Sequence, residues 1–184
     1  MIMKRLLLII CTTSSLLSYG QDYDMLNFIN IYRAKNGCES VIYSKDLEEI
    51  AKAQNTLNTI SDSVAHSHKA SEISLKGNCL PATKTSRDAF VNFLQKYFKV
   101  EYKDPKTEAE VLTLTKLYSI YLFSTSKSHN NILLGEYNYV GFDIVTNSIK
   151  YKSNVIKIGG KEYKLNNAIS HHDVNFYVVV DFRK

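Results

Sequence analysis

The sequence predicts an α+β fold, a sheet with helices packed against its faces. Three observations carry that expectation. Four stretches of helical periodicity lie between residues 22 and 122, and strand-like alternation takes over from Tyr137. No internal repeat or linker divides the chain. Its 184 residues are the length of one domain with some targeting sequence. With 45% hydrophobic and 22% charged residues, 7 Gly and 2 Pro, the chain is not collagen-like, low-complexity or wholly disordered.

Residues 1–20 read as a signal peptide. Lys4 and Arg5 form a positive start, Leu6 to Cys11 open an apolar stretch, and Ser18-Tyr19-Gly20 places small residues where a signal peptidase needs them. Thr12, Thr13, Ser14 and Ser15 interrupt that stretch, so it falls short of the roughly 20 apolar residues of a membrane span. Acylation at Cys11 would need a small residue before it, and Ile10 stands there. A single domain over 21–184 is expected, secreted or periplasmic and soluble after cleavage. Without Lys4 and Arg5 it carries 21 basic and 18 acidic residues, with signs alternating along the chain. That balance does not predict nucleic-acid binding.

The elements follow in order. Residues 22–36 place Leu26, Ile29, Tyr32 and Arg33 at helical intervals, with Asp22 and Asp24 at the positive end and Gly37 as a stop. Val41-Ile42-Tyr43 is a short strand. Ser44 then caps a second helix with an apolar stripe of Leu47, Ile50, Ala51 and Leu57. Residues 61–83 are polar and read mostly as loop. Thr85-Ser86-Arg87-Asp88 and Thr107-Glu108-Ala109-Glu110 both have capping-box spacing before helices built on Phe90, Phe93, Leu94 and on Val111, Leu114, Leu117. Alternation in Tyr139–Ile144 marks a strand ending at Asn147. Gly159-Gly160 turns a hairpin between Val155–Ile158 and Glu162–Leu165, and Val174–Phe182 is a last strand.

Cys38 and Cys79 remain after cleavage. In an oxidising compartment an even count favours a Cys38–Cys79 disulfide, worth roughly 3–4 kcal/mol for a loop of about 40 residues. Two buried free thiols are the alternative, since pairing geometry is not written in a sequence.

Few residues offer chemistry. His66 and His68 flank Ser67, with Glu72 within a turn's reach; His129 stands alone; His171 and His172 precede the last strand. Imidazoles with a carboxylate are adequate zinc ligands, but no pair has the helical spacing of a zinc protease. A phosphate loop, a nucleophile elbow and a catalytic cysteine with a local partner are all missing from the sequence.

Three segments together carry a resemblance. Leu26-Asn27-Phe28-Ile29-Asn30-Ile31-Tyr32-Arg33, then Gly37, Leu47 and Ala51, form an N-x-x-R helix, a glycine and a Leu/Ala-rich helix. Ala65-His66-Ser67 with Glu72 is the second segment. Ser126-Lys127-Ser128-His129-Asn130-Asn131-Ile132-Leu133, an S-x-x-H-x-x-I-L pattern followed by Tyr139-Val140-Gly141-Phe142, is the third. In this order they resemble the CAP superfamily of cysteine-rich secretory, antigen 5 and pathogenesis-related proteins, in a divergent secreted bacterial form.

The resemblance implies an α-β-α sandwich with a central antiparallel sheet and a cleft lined by His66, Glu72 and His129. It offers His66 and His129 to zinc or another divalent metal, with His68 as a substitute for His66. This sequence departs from the pattern in several places. Ser71 and Ile73 flank the glutamate in place of Gly and Asn, Phe123 stands where a tryptophan is common, and no second glutamate falls near Ser126. The segment 147–173 looks like an insertion.

Two functions answer to these features. One is a non-catalytic binding module whose cleft takes a small ligand, a lipid or an envelope component. The other is an extracellular hydrolase of peptide or envelope polymer, with Glu72 as general base. The lack of a second carboxylate favours binding, because general acid and base usually need two groups with opposed roles. A third role for His66, Glu72 and His129 is purely structural, tying the long loop to the rest of the fold.

Overall fold

A computed structural model of the chain describes residues 22–66, 70–105, 107–146, 155–158, 161–164 and 175–184. The expected signal peptide, His68, His171, His172, the Gly159-Gly160 turn and most of 147–173 lie outside the described residues.

Among the described residues five helices and six strands follow in the order α1 (Asp22–Lys35), β1 (Ile42–Tyr43), α2 (Lys45–Ser61), β2 (Ser71–Asn78), α3 (Lys84–Tyr97), α4 (Glu108–Thr125), α5 (Lys127–Leu133), β3 (Tyr139–Thr146), β4 (Val155–Ile158), β5 (Lys161–Lys164) and β6 (Asn175–Arg183). The main sheet has the order β1-β3-β6-β2, and β4 and β5 form a second, two-stranded sheet. The fold is α+β, as expected, but its sheet is mixed: β1 runs parallel to β3, and only the other pairs are antiparallel.

Local chemistry explains the boundaries. Gly37 takes φ 76° beyond α1, a conformation that costs a glycine little. Ser44 accepts from the Leu47 amide at the start of α2. The Thr107–Glu110 capping box opens α4 as its spacing predicts. For α3 the box is Thr83–Ser86, two residues earlier than the spacing from Thr85 suggested.

Two elements differ from expectation. Residues 71–78 form a strand where a loop was read, because polar Glu72, Ser74 and Lys76 alternate with Ile73, Leu75 and Gly77 on an edge strand. Residues 127–133 add a fifth helix of 7 residues, whose N-cap Ser126 makes no side-chain capping bond.

The sheet has two unlike faces. Ile73, Val140, Phe142, Phe176, Val178, Val180 and Phe182 join Met25, Ile29 and Tyr32 of α1, Phe90, Phe93 and Leu94 of α3, and Leu117 and Ile120 of α4 in one apolar core. The opposite face carries Glu72, Gly141, Asp143, Tyr177, Val179 and Asp181 and is covered by α2. There α2 comes so close that a Cβ on Gly141 would stand 2.2 Å from the Glu48 amide nitrogen.

The expected Cys38–Cys79 disulfide is not formed: both thiols are free. Cys79 follows Asn78, which pairs with Asn175 at the start of β6. Cys38 donates to the Leu134 carbonyl at 3.3 Å, near Asn138, whose amide bonds Arg183 at the far end of β6. The strand between those ends is roughly 25 Å long, whereas a disulfide needs Cα atoms within about 7 Å.

Candidate functional site

The loop before β2 is held by α2. Gln54 donates to the Ala65 carbonyl at 3.0 Å, and the Ala65 amide donates to Asn58 Oδ1 at 2.9 Å. Gln54 and Asn58 lie one turn apart and are themselves bonded, so the helix fixes the backbone just before His66. His66 then faces Glu72, the second residue of β2, with Nδ1 and Oε1 3.0 Å apart. The same Oε1 accepts from Ser74 Oγ at 2.7 Å. Glu72 is buried, its side chain 2% exposed, against 42% for His66. A carboxylate so placed holds the Nδ1–H tautomer of His66 and leaves Nε2 free to accept from a ligand.

His129 comes from α5, which is pinned to α1. Tyr32 donates to Asn130 Oδ1 at 2.9 Å, and burial pushes its hydroxyl up to about 12. Arg33 Nη1 donates to the carbonyls of Leu133 at 2.7 Å and Gly135 at 3.0 Å. Asn30 exchanges two bonds with the Val41 backbone. The N-x-x-R pattern is therefore a clamp: Asn30 sets the entry to β1, and Arg33 sets the exit of α5. The His129 ring stands edge-on to Phe123 with centroids 5.5 Å apart. Burial, then the neighbouring His66, lowers its pKa, so it is neutral where an ordinary histidine begins to charge.

His66, Ala70, Glu72, Ser128, His129 and Ile132 line one hollow of about 260 Å³. The three residues singled out in the sequence thus converge, although they come from a loop, a strand and a helix. Among the described residues no three His, Cys, Asp or Glu side chains are grouped so that they could hold a metal ion. Glu72 Oε1 accepts from both His66 and Ser74, so this carboxylate serves to orient the His66 ring.

The structure adds a residue that sequence reasoning missed. Asp181, fully buried on β6, stands opposite Glu72 in the strand register. The signal was present as a lone acid in Val178-Val179-Val180-Asp181-Phe182, but its partner could not be named without the register. A larger groove of about 640 Å³ lies at Arg33, Cys38, Glu39, Gly135, Tyr137 and Lys184. Its buried Arg33 directs its donors to backbone carbonyls, which is structural work.

The family model for the cysteine-rich secretory protein (CAP) family matches residues 26–179. No curated protein matches the sequence. Among solved structures, the crystal structure of a hookworm platelet inhibitor is similar at a TM-score of 0.40 and 12% identity, covering 92% of this chain and 75% of that one. That likeness is too distant to support an argument, and membership rests on the family match. Among the described residues no helix is long and apolar enough to cross a membrane. The match spans His66, Glu72, His129, β2 and β3 and reaches into β6, and the chain belongs to the CAP family.

Proposed function

We propose that this protein is a secreted, non-catalytic binding module whose His66–Glu72–His129 hollow takes a small polar headgroup. The observation that supports this best is the state of Glu72. Its carboxylate is almost wholly buried and already accepts from His66 and Ser74, so it orients an imidazole and is poorly placed to take a proton from water. The hollow, at about 260 Å³, is below the roughly 300–1,000 Å³ of drug-sized pockets. It offers two imidazoles and the Ser128 hydroxyl beside apolar Ala70 and Ile132.

A headgroup with hydroxyls or a phosphate matches those donors and acceptors. Leu57, Ile60 and Val64, all exposed in the chain leading to His66, supply apolar surface for an attached acyl chain. The lipid or envelope component of the proposal rests on that strip.

The test is a titration of the full mature chain with glycerol phosphate, N-acetylglucosamine and a short-chain phosphatidylglycerol. Saturable binding to one of them, lost when His66 and His129 are both changed to Ala, is the expected result. Zinc is a parallel probe: binding that depends on both histidines would restore a two-imidazole metal site. Release of fragments from peptidoglycan or casein, abolished by Glu72→Gln, would replace the binding role with hydrolysis.

A further inference from the structure

The second half of α2 is built inside out. Gln54, Asn55 and Asn58 are its buried residues there. Gln54 bonds Asn58 and the Ala65 carbonyl, and Asn55 bonds Asp143 and the Tyr177 carbonyl. The outward side carries Leu57 and Ile60, 60% and 79% exposed, with exposed Ala53 before them and exposed Val64 just past the helix. A surface helix shows the reverse order, apolar toward the core and polar toward water. This row is therefore a surface that gains by being covered.

Half-buried Ile50 extends it, so positions 50, 53, 57, 60 and 64 follow at intervals of three, four, three and four. That is the seam spacing of helices that pack on one another, and it calls for a helix with a matching row. Among the described residues no other helix exposes large apolar side chains at helical spacing; Ile31 of α1 stands alone. The helix with the matching row is α2 itself.

The charges point the same way. No residue from Ala53 to Ser61 is charged, and Lys52 and Lys76 at the margins are paired with Glu48 and Asp62. A helix that rests on an anionic bilayer carries a basic edge, which residues 53–61 do not supply. A charged protein partner likewise finds nothing here to pair with, whereas two identical neutral rows meet without repulsion.

We propose that α2 is a self-association surface: two copies of this chain pair through antiparallel α2 helices on a two-fold axis at Leu57. Leu57 then packs against the partner's Leu57, and Ile60 against the partner's Ala53, large beside small as close packing requires. The helix dipoles run in opposite directions, which favours the pair. A patch of this size buries less than the roughly 1,200 Å² of a standard interface, so the pair is reversible, half-formed at about 10–100 μM. The pairing goes beyond the binding reading and competes with part of it, because a second copy and an acyl chain need the same strip.

The experiment is sedimentation velocity of the full mature chain between about 1 μM and about 1 mM. The wild type should pass from monomer to dimer over that range, and Cys38→Ser should do the same. Ala53→Glu and Ile60→Lys should each weaken pairing at least about 100-fold and leave far-UV circular dichroism unchanged, since both positions are exposed. Mixed in equal amounts, the two variants should pair again, as the new acid of one copy meets the new base of the other. A wild type still monomeric at about 1 mM, a dimer lost in Cys38→Ser, or variants that pair as well alone as mixed would overturn the proposal.

The two readings fail separately. The short-chain phosphatidylglycerol should dissociate the dimer, and glycerol phosphate should not. If the lipid binds and the dimer persists, the pairing stands and the acyl-chain part of the binding reading falls. If no dimer forms and binding to phosphatidylglycerol vesicles is lost in Leu57→Glu, the strip belongs to lipid and the pairing falls.

Discussion

The two faces of the central sheet solve burial in opposite ways. One presents seven apolar side chains from three strands to three helices, and its stability comes from area removed from water and close packing. The other is covered by α2 over Glu72, Asp143 and Asp181, with Asn55 of α2 donating to Asp143 Oδ2 at 2.8 Å and to the Tyr177 carbonyl at 3.3 Å. Buried polar groups must be paired or neutral, so this face is specified by hydrogen bonds and protonation. Glu72 lies on the polar face where β2 meets the hollow. The site therefore sits where the fold already tolerates buried charge.

The largest expected effect is on the apolar face. Phe182 is 1% exposed and stacks on Tyr137, with ring centroids 5.2 Å apart. Phe182→Ala should cost roughly 3–5 kcal/mol in urea unfolding at any pH near neutrality. A loss that varied strongly with pH would blur the contrast between the faces.

On the polar face the same measurement should depend on pH. The native Asp181 carboxyl is raised to about 7, whereas an unfolded aspartate titrates near 3.8. The folded state therefore binds the extra proton between those values, and wild-type stability from this group is complete below the lower one and lost as pH rises to the upper. Asp181→Asn should match the wild type near pH 4 and exceed it by roughly 2–4 kcal/mol above pH 7. Equal stability across that window would show that Asp181 ionises freely.

Glu48, also buried on α2, gives the opposite sign. Burial alone would raise its pKa, but bonds from Lys45, Lys52 and Tyr43 outweigh burial and hold it down at about 2. Its contribution is present above the ordinary glutamate range and lost as pH falls toward 2. Because the Lys45 and Lys52 side chains are 66% and 44% exposed, Glu48→Gln should cost only about 1–2 kcal/mol at neutral pH, read by thermal unfolding. A smaller loss at low pH would confirm the sign. The smallest effect is at Cys38: with both thiols free, reductant or Cys38→Ser should move stability by less than about 0.5 kcal/mol. A drop of several kcal/mol on reduction would restore the disulfide.

The same contrast explains what the sequence revealed. Apolar periodicity revealed α1 to α4 and β6, since Phe176, Val178, Val180 and Phe182 alternate toward one core, whereas the short α5 went unread. Segment 71–78 escaped because its α2-facing residues are polar, and polar alternation on an edge strand resembles loop. His66, Glu72 and His129 were legible through motifs that keep fixed local spacing. Asp181 was not, because its meaning depends on pairing with a strand more than a hundred positions away. The cysteine count misled for the same reason: the sheet holds Cys38 and Cys79 apart, and sheet length is not a local property.

The most direct test of the central claim follows both histidine rings during one titration with glycerol phosphate, N-acetylglucosamine or the short-chain phosphatidylglycerol. If His66 and His129 serve one hollow, their ring signals move together with a shared midpoint, and Glu72→Gln weakens both responses. Rings that respond at different midpoints, or a response confined to one of them, would contradict the account.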